Sequence, residues 1–327
     1  MLFIRDILPL LAFIYASFMI FYHGHSFRRL AWYCISSTIL IVFSHDVPSI
    51  LQHLSVRLPV IYDPALIDIE NTAGITCSSA VYTMEKFSLF YLSPLIAVYI
   101  YIPSMVMLAA SVELTSDHWS IKNNLFTQFA IGAVIGYALY AVVPAIGPRY
   151  FIGPYFTSFP SALSAHAALD NDGGTIPRNA MPSLHATWSI LCFLALRRSA
   201  RWQQILGGAY VTATFITTLG LGLHYAIDWI VALPLVLLIR SVTLDTIPST
   251  LRLTIVGSCS GLLVVWIFVI RGAALFLKSV LFIKAAIILS ILAPAGFEAL
   301  LRRTEGNAIL SNIYPNDIVS TKQRTAL

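Results

Sequence analysis

A histidine and an aspartate at helical spacing have the types needed for nucleophilic or acid–base chemistry. His224 and Asp228 stand four residues apart in the segment His224-Tyr225-Ala226-Ile227-Asp228, so they share one face of a helix. A carboxylate beside an imidazole fixes its tautomer and stabilises its protonated form. The other ring nitrogen is then available for attack on phosphorus or for proton transfer. A hydrogen bond that only packs two helices together explains the same pair.

A second candidate lies in the segment Arg178-Asn179-Ala180-Met181-Pro182-Ser183-Leu184-His185. Pro182-Ser183 is typical of a helix start with Ser183 as the N-cap, where the helix dipole and free N–H groups favour an anion. His185 follows two residues later and is placed to donate a proton to a leaving oxygen. A capped helix start without any catalytic role explains this pattern equally well.

A third candidate is the segment Pro144-Ala145-Ile146-Gly147-Pro148-Arg149-Tyr150. Gly147-Pro148 predicts a turn, which places Arg149 near the end of a membrane helix. A guanidinium binds phosphate through two parallel hydrogen bonds, and Arg178 offers the same chemistry. Arginines at a membrane interface also commonly extend their charge to the headgroups without any further role.

The composition indicates that these residues work in a membrane. Of the 327 residues, 58% are hydrophobic and 11% are charged, and the mean hydropathy is +0.80. A soluble domain carries about 25% charged residues, so a soluble enzyme, a nucleic-acid-binding module and a disordered protein are excluded. The net charge of +5 is typical of basic residues gathered on the cytoplasmic side of a membrane protein. The expected fold class is all-α, a polytopic bundle of membrane helices.

Nine apolar segments are predicted to cross the membrane, which takes about 20 residues each. They cover roughly residues 7–22, 30–44, 88–112, 125–143, 182–197, 203–222, 224–240, 253–270 and 273–294. If the spans alternate in direction, ten basic residues fall on one side, which is expected to be the cytoplasm. These are Arg28, Arg29, Lys122, Arg197, Arg198, Arg201, Arg240, Arg252, Arg302 and Arg303. All three candidate segments then lie at the opposite, outer face.

The chain is expected to divide into four regions around one catalytic core. They are an extra N-terminal transmembrane helix (1–29), a six-helix core (30–240) with outer loops 45–87 and 144–181, two C-terminal transmembrane helices (241–303) and a disordered cytoplasmic tail (304–327). The first outer loop is acidic and is expected to contain an interfacial helix. The tail is polar and shows no helical pattern, which favours disorder.

The chain resembles a known family at two of the candidate segments. Pro182-Ser183-Leu184-His185 and the later His224-x3-Asp228 look like the second and third signature motifs of the type 2 phosphatidic acid phosphatase superfamily. The resemblance covers about residues 88–240, and the helix predicted over 30–44 would complete the six-helix core of that family. It implies phosphoryl transfer through a phosphohistidine.

The resemblance also implies a role for each matched residue. In that family the third-motif histidine is the nucleophile, the second-motif histidine is the general acid, and basic residues hold the phosphate. By position these roles fall on His224, His185 and Arg149, and Asp228 orients His224. From their own positions, Ser183 and Arg178 are further candidates for binding the phosphate.

Two departures from the phosphatase pattern favour one branch of the superfamily. The pattern has a lysine seven residues before the first-motif arginine, where this chain has Val142. It has an arginine six residues before the nucleophilic histidine, where this chain has Thr218. Thr217-Thr218 followed by His224-Tyr225-x2-Asp228 is closer to the inositol phosphorylceramide synthase branch, which moves a phospho-headgroup between lipids. Arg178 is inferred to replace part of the missing charge.

The sequence therefore predicts a membrane lipid phosphotransferase or phosphatase with its active site at the non-cytoplasmic face. The expected partners are a lipid phosphate donor, a lipid or alcohol acceptor and the surrounding membrane lipids. No nucleic acid, no cofactor and no metal are expected. A lipid phosphate phosphatase, of the prenyl or phosphatidate type, is the alternative within the superfamily.

Three hypotheses of other classes stay open. A metalloenzyme would bind a divalent ion through oxygen and nitrogen ligands. Its candidate ligands are His166, Asp170, Asp172, His185 and His224. A transporter would use ionisable residues inside the membrane, for which Lys278 and Lys284 of the ninth span are candidates. An inactive homologue would keep the fold, and the two missing cationic positions fit that hypothesis.

Overall fold

The computed structural model describes residues 10–22 (except 12, 16 and 19), 27–55, 60–75, 89–115, 119–152, 178–197, 199–245, 247–276 and 279–313. All the regular secondary structure within these ranges is helical. Twelve helices carry labels here. They are α1 (Phe27–Ser55), α2 (Asp63–Ala73), α3 (Leu89–Ile100), α4 (Ile102–Leu114), α5 (Leu125–Val142), α6 (Pro148–Ile152), α7 (Leu184–Leu196), α8 (Arg201–Gly220), α9 (Ala226–Thr243), α10 (Ser249–Arg271), α11 (Ala273–Phe276) and α12 (Val280–Ile313).

The length and apolar composition of several helices suit a membrane. Within the described ranges, α5, α9, α10 and the Val280–Thr304 part of α12 are long and apolar enough to cross one. The apolar helices α4 and α7 have 13 residues each and are shorter than a full span. The all-α membrane fold is confirmed, whereas the number of nine spans stays a prediction.

The predicted third span, over 88–112, is interrupted in the structure. α3 ends at Ile100, and α4 begins at Ile102 with Pro103 in its first turn. Proline is well suited to a first turn because its missing N–H has no partner there in any case. The segment expected as one helix is therefore divided at Tyr101, because Pro103 has no N–H to continue the hydrogen bonds of α3.

The predicted ninth span and the tail after it also differ from the structure. The region expected as one helix over 273–294 is divided into the short α11 and the long α12, with Ser279 before α12 accepting from the Phe282 N–H at 3.4 Å. α12 then continues to Ile313, ten residues into the segment expected to be disordered. The Glu298–Arg302 pair, four residues apart at 3.4 Å, stabilises the turn that leads into this extension. Residues 314–327 lie outside the described ranges.

α9 is the central helix of the bundle. It packs against α5, α7, α10, α12 and α2. In the most apolar stretch of α9, 72% is buried, against 28% in that of α12. α12 therefore lies at the periphery of the bundle. α5 approaches α7 closely at Gly136, where an added Cβ would run into the Leu184 side chain. The start of α7 is thereby held against the middle of the bundle.

Basic residues gather at the end of the bundle away from His224. Glu298 of α12 pairs with Arg197, at the far end of α7, and with Arg240, near the far end of α9. At the same end, Lys122 pairs with Asp245 at 2.8 Å. Since α7 and α9 both begin at the histidines, these contacts put the charged end and the histidine end on opposite sides of the helical layer.

Candidate functional site

His224 lies just before α9, buried and with one ring nitrogen fully engaged. Its Nδ1–H donates to the Ala180 carbonyl oxygen at 2.9 Å and to Asp228 Oδ2 at 3.2 Å. Because both neighbours are acceptors, the proton of the neutral ring sits on Nδ1. The lone pair is therefore on Nε2, which is the nitrogen available for nucleophilic attack.

Asp228 is fully buried and accepts hydrogen bonds from the backbone as well as from His224. Its Oδ2 also accepts from the Tyr225 backbone N–H at 2.8 Å, which caps the first turn of α9. Its backbone carbonyl accepts from the Ser183 N–H at 3.4 Å. Asp228 thus orients His224 and joins the second candidate segment to the third.

His185 lies in the first turn of α7 and faces His224. The two ring centroids are 5.8 Å apart and the rings are inclined by 56°. A third ring, Tyr99 of α3, stacks on His185 with centroids 3.8 Å apart and an interplanar angle of 6°. The two imidazoles are close enough to contact the same phosphate, and Tyr99 fixes the plane of one of them.

Ser183 is the N-cap of α7, as its sequence predicts. Its Oγ accepts from the Ala186 N–H at 3.1 Å, and its carbonyl accepts from the Thr187 N–H at 3.1 Å. One first-turn N–H group expected to be free for an anion, that of Ala186, is therefore used by the cap, while the Thr187 N–H makes the first hydrogen bond of the helix itself. The Ser183 hydroxyl proton and the helix dipole remain to favour a phosphate.

The segment before Arg149 touches the segment before His224 through their backbones. Gly147 has φ +90°, and a Cβ there would run into the Leu223 carbonyl. The Arg149 N–H donates to the Gly222 carbonyl at 2.7 Å. This close approach requires glycine at 147 and brings the first and third candidate segments together.

The two arginines predicted to bind phosphate differ in their surroundings. The Arg149 side chain is exposed at the start of α6. Arg178 is half-buried, and burial lowers the pKa of its guanidinium while the Asp63 carboxylate opposes that shift. Arg178 shares its segment with His185, and the Arg149 segment contacts the backbone just before His224.

Thr218, which stands where the phosphatase pattern has an arginine, has a structural role. Thr218 Oγ1 accepts from Trp229 Nε1 at 2.8 Å and donates to the Phe215 carbonyl at 3.1 Å. Its own carbonyl accepts from the N–H groups of Leu223 and His224. Thr218 therefore shapes the turn that carries the histidine.

The other departing position lies at the end of α5. The Val142 carbonyl accepts from Arg271 Nη1 at 3.3 Å, and this arginine, at the end of α10, also lies over the Tyr62 ring at 5.8 Å. Arg271 is thus a cation at the histidine end of the bundle, opposite the end where Arg197, Arg240 and Lys122 gather.

A family comparison covers the whole of this site. The family model described as the PAP2 superfamily matches residues 64–242. The chain belongs to the PAP2 superfamily. The match contains the three candidate segments and starts earlier than the predicted resemblance, so that most of α2 is included. Comparison with curated proteins and with solved structures finds no match.

Several groups of this PAP2 site were not predicted from the sequence. Tyr99 stands in an apolar helix, where nothing distinguishes it from a packing residue. Tyr225 and the Ala180 carbonyl belong to segments already singled out, but their contacts depend on the tertiary fold. The Asp63-Pro64 pair carried a usable signal, since an acidic residue followed by proline is typical of a helix start.

The residues behind the metal and transporter hypotheses lie mostly outside the described ranges. His166, Asp170, Asp172 and Lys278 are among them. In the part of the chain that the structure describes, no three His, Cys, Asp or Glu side chains are grouped for one metal ion. Lys284 is exposed in the second turn of α12. A lysine this near a helix start has a side chain long enough to extend its charge toward the end of the helix.

Proposed function

We propose that this PAP2 superfamily protein is an inositolphosphotransferase-like enzyme that moves a phospho-headgroup from a donor lipid to an acceptor through a phosphohistidine. The observation that carries the proposal is the state of His224. Its Nδ1 is held by the Ala180 carbonyl and Asp228, and its ring lies 5.8 Å from that of His185. One oriented nucleophile and one acid at this separation are what displacement at phosphorus needs.

The reaction takes place in two steps. In the first, His224 Nε2 forms a bond to phosphorus, the bond from phosphorus to the lipid alcohol oxygen breaks, and His185 gives that oxygen a proton. In the second, an acceptor hydroxyl forms a bond to phosphorus while the nitrogen–phosphorus bond breaks, and His185 takes the hydroxyl proton. Asp228 stabilises the positive charge that develops on His224.

The number of cations at the site supports a phosphodiester as the donor. A phosphodiester carries one negative charge, whereas a phosphomonoester carries nearly two at neutral pH. Thr218 stands in place of one patterned cation and is fully used by Trp229 and Phe215. Arg149, Arg178 and Ser183 are left as the proposed phosphate-binding groups. Fewer cations suit the substrate with less charge.

The partners and the membrane face follow from the same scheme. The donor and acceptor enter from the lipid phase or its interface, and the site lies at the non-cytoplasmic face. The gathering of Arg197, Arg240 and Lys122 at the other end of the bundle supports this orientation, because basic residues are enriched on the cytoplasmic side. Residues 30–240 form the catalytic core in this proposal, and the added terminal helices frame it.

A lipid phosphate phosphatase is the second candidate, and membership of the PAP2 superfamily favours it directly. The first step is unchanged, and water takes the place of the acceptor alcohol. Access of water to the phosphohistidine then decides between transfer and hydrolysis. The two activities are distinguished by where the labelled phosphorus goes.

The experiment is lipid profiling with the purified protein and a variant matched to it. Wild type and His224→Ala are incubated with a total phospholipid extract, and mass spectrometry follows which phospholipid disappears and which product accumulates. The proposal expects loss of a phosphodiester lipid, a rise in diacylglycerol and a new phospho-headgroup lipid, with none of these in the variant. Release of inorganic phosphate from a monoester lipid alone supports the phosphatase. Equal turnover in the variant rejects both.

A further inference from the structure

A buried carboxylate outside the histidine motifs connects two of the site's segments. Asp63 is the first residue of α2, and its side chain is completely buried. It accepts from the backbone N–H of Ile146 at 3.0 Å and from that of Gly147 at 2.9 Å. It also accepts from the Tyr225 hydroxyl at 2.9 Å. Three donors from two distant segments therefore converge on one side chain.

The other end of α2 makes a similar contact. Glu70 stands two turns after Asp63, so both carboxylates project from one face of the helix. Glu70 Oε1 accepts from the Ile227 N–H at 3.2 Å, one of the first-turn donors of α9 that have no partner inside that helix. Just before α2, the Tyr62 N–H donates to the Pro144 carbonyl at 2.9 Å. α2 thus holds both the Pro144–Gly147 turn and the start of α9.

These contacts determine where the reacting groups stand. Tyr225 follows His224 directly, so fixing its hydroxyl fixes the backbone from which the imidazole projects. The Gly147 turn leads directly to Arg149, whose N–H donates to the Gly222 carbonyl. A shift of either segment changes the distance between the nucleophile and a phosphate bound at the arginine.

We propose that α2 is a positioning element of the site. The Asp63 carboxylate holds the Gly147 turn against Tyr225 and so fixes the distance from His224 to a phosphate bound at the site. This inference rests on the proposed function, because it concerns the geometry of that reaction. The side chain of Asp63 accepts from the turn and from Tyr225, and it acts on the reaction through these groups.

The charge state of Asp63 is consistent with this role. Burial raises the pKa of its carboxyl to about 6, while the Ile146 and Gly147 N–H groups and the Tyr225 hydroxyl oppose the shift. The negative charge of Asp228 raises the pKa of Asp63 further, and the Asp63 carboxylate in turn stabilises the positive charge of Arg178. The carboxylate is therefore ionised at neutral pH and accepts from all three donors.

The test compares two aspartates of the same helix. Asp63→Asn removes the negative charge and places an amide N–H₂ group against the N–H and hydroxyl donors that Asp63 accepts from. Asp68→Asn makes the same change at an exposed position of α2. The readout is the single-turnover rate constant with enzyme in excess, which does not depend on the fraction of protein that folds. We expect Asp63→Asn to lower it on the order of 10- to 100-fold, since small misplacements of reacting groups cost that much. We expect Asp68→Asn to stay within about twofold of wild type.

A second readout follows the segments themselves and needs no substrate. Hydrogen–deuterium exchange in Asp63→Asn should rise in peptides from 144–152 and 219–227. It should stay unchanged in peptides from 249–262, the half of α10 that lies away from Tyr62. Tyr225→Phe keeps the carboxylate and removes one donor, and it should lower the single-turnover rate less than Asp63→Asn does. If Asp63→Asn does not fold, Tyr225→Phe decides alone, and a wild-type rate and exchange pattern in that variant overturn the inference.

The outcomes separate this inference from the proposed function. A wild-type protein that turns over no phospholipid refutes the function, while faster exchange in the two segments of Asp63→Asn still supports the positioning role. A wild-type protein that is active, with equal rates in the Asp63 and Asp68 variants, overturns the positioning role and leaves the function standing.

Discussion

Replacing Asp228 with asparagine should reduce turnover by a moderate factor that the hydrogen bonds of His224 determine. Asp228→Asn keeps the size of the side chain and removes its charge. His224 Nδ1–H has two acceptors, the Asp228 carboxylate at 3.2 Å and the Ala180 carbonyl at 2.9 Å. The shorter bond is to the backbone and survives the substitution. The imidazole therefore keeps its proton on Nδ1 and its lone pair on Nε2.

The expected magnitude follows from what is lost. A hydrogen bond to a charged group contributes about 1.5–3 kcal/mol, and the Asp228 carboxylate makes this contribution when His224 becomes positive in the transition state. This corresponds to a fall in kcat of roughly 10- to 150-fold. It is smaller than the loss of about 10⁴-fold seen where removing a carboxylate reverses the tautomer of a catalytic histidine.

The assay uses phospholipid labelled at phosphorus, in mixed micelles, with wild type and two variants. Asp245→Asn is the matched control, because Asp245 is half exposed and pairs with Lys122 at the opposite end of the bundle. The control should keep wild-type kcat, and Asp228→Asn should keep a wild-type KM because no substrate contact is removed.

Two results would refute this reasoning about His224. A loss of 10⁴-fold or more would mean that the Ala180 carbonyl does not hold the tautomer. An unchanged kcat would mean that no positive charge develops on His224 in the rate-limiting step.

Four further predictions concern other parts of the site. Tyr99→Ala should lower kcat more than Tyr99→Phe does, since the ring that stacks on His185 is kept in the second variant; equal kcat in the two variants contradicts the stacking role. Gly147→Ala should lose most activity and thermal stability, because the positive φ costs about 1–2 kcal/mol and the Cβ meets the Leu223 carbonyl; a wild-type melting temperature contradicts this. Burial raises the pKa of Asp63 from 3.8 to about 6, so the folded protein binds a proton that the unfolded chain releases, and stability falls as pH rises through that interval. The melting temperature of wild type relative to Asp63→Asn should therefore be higher at pH 4 than at pH 7, and a difference independent of pH contradicts the shift. Treatment with EDTA should leave turnover nearly intact, whereas a loss restored by Mg²⁺ or Mn²⁺ would favour the metalloenzyme.

The membrane class and the central pair of the site could be predicted because their signals are local. Composition alone excludes a soluble fold. The spacing of His224 and Asp228 puts them on one helical face, and in the structure they are hydrogen-bonded. Ser183 was predicted as an N-cap from the residue type at a helix start, and its Oγ is the cap acceptor.

Helix boundaries were predicted less well where hydropathy is continuous. Residues around Tyr101 and around Ser279 belong to apolar runs, so a hydropathy criterion places no break there. The breaks depend on Pro103 in one case and on Gly272 and Ser279 in the other. The helical segment after 303 has few apolar residues and extends a helix already anchored by Glu298.

Sequence patterns could not predict contacts between segments that are distant in the chain. Tyr99 meets His185 across more than 80 residues, and Asp63 meets Tyr225 across 162. No periodicity links such pairs, because their proximity results from the packing of α2 and α3 against the bundle. In this site the histidines and Asp228 carried sequence signals, whereas the contacts that Tyr99 and Asp63 make with the site did not.

Rapid-quench trapping of the enzyme–phosphorus bond tests the central claim most directly. Wild type is mixed with phosphorus-labelled phospholipid, quenched within milliseconds and digested, and the labelled peptide is sequenced. We predict a label that is stable in base and labile in acid, carried by His224, lost in His224→Ala and removed by added acceptor. Steady turnover with no labelled histidine, or the same label in His224→Ala, would contradict the account.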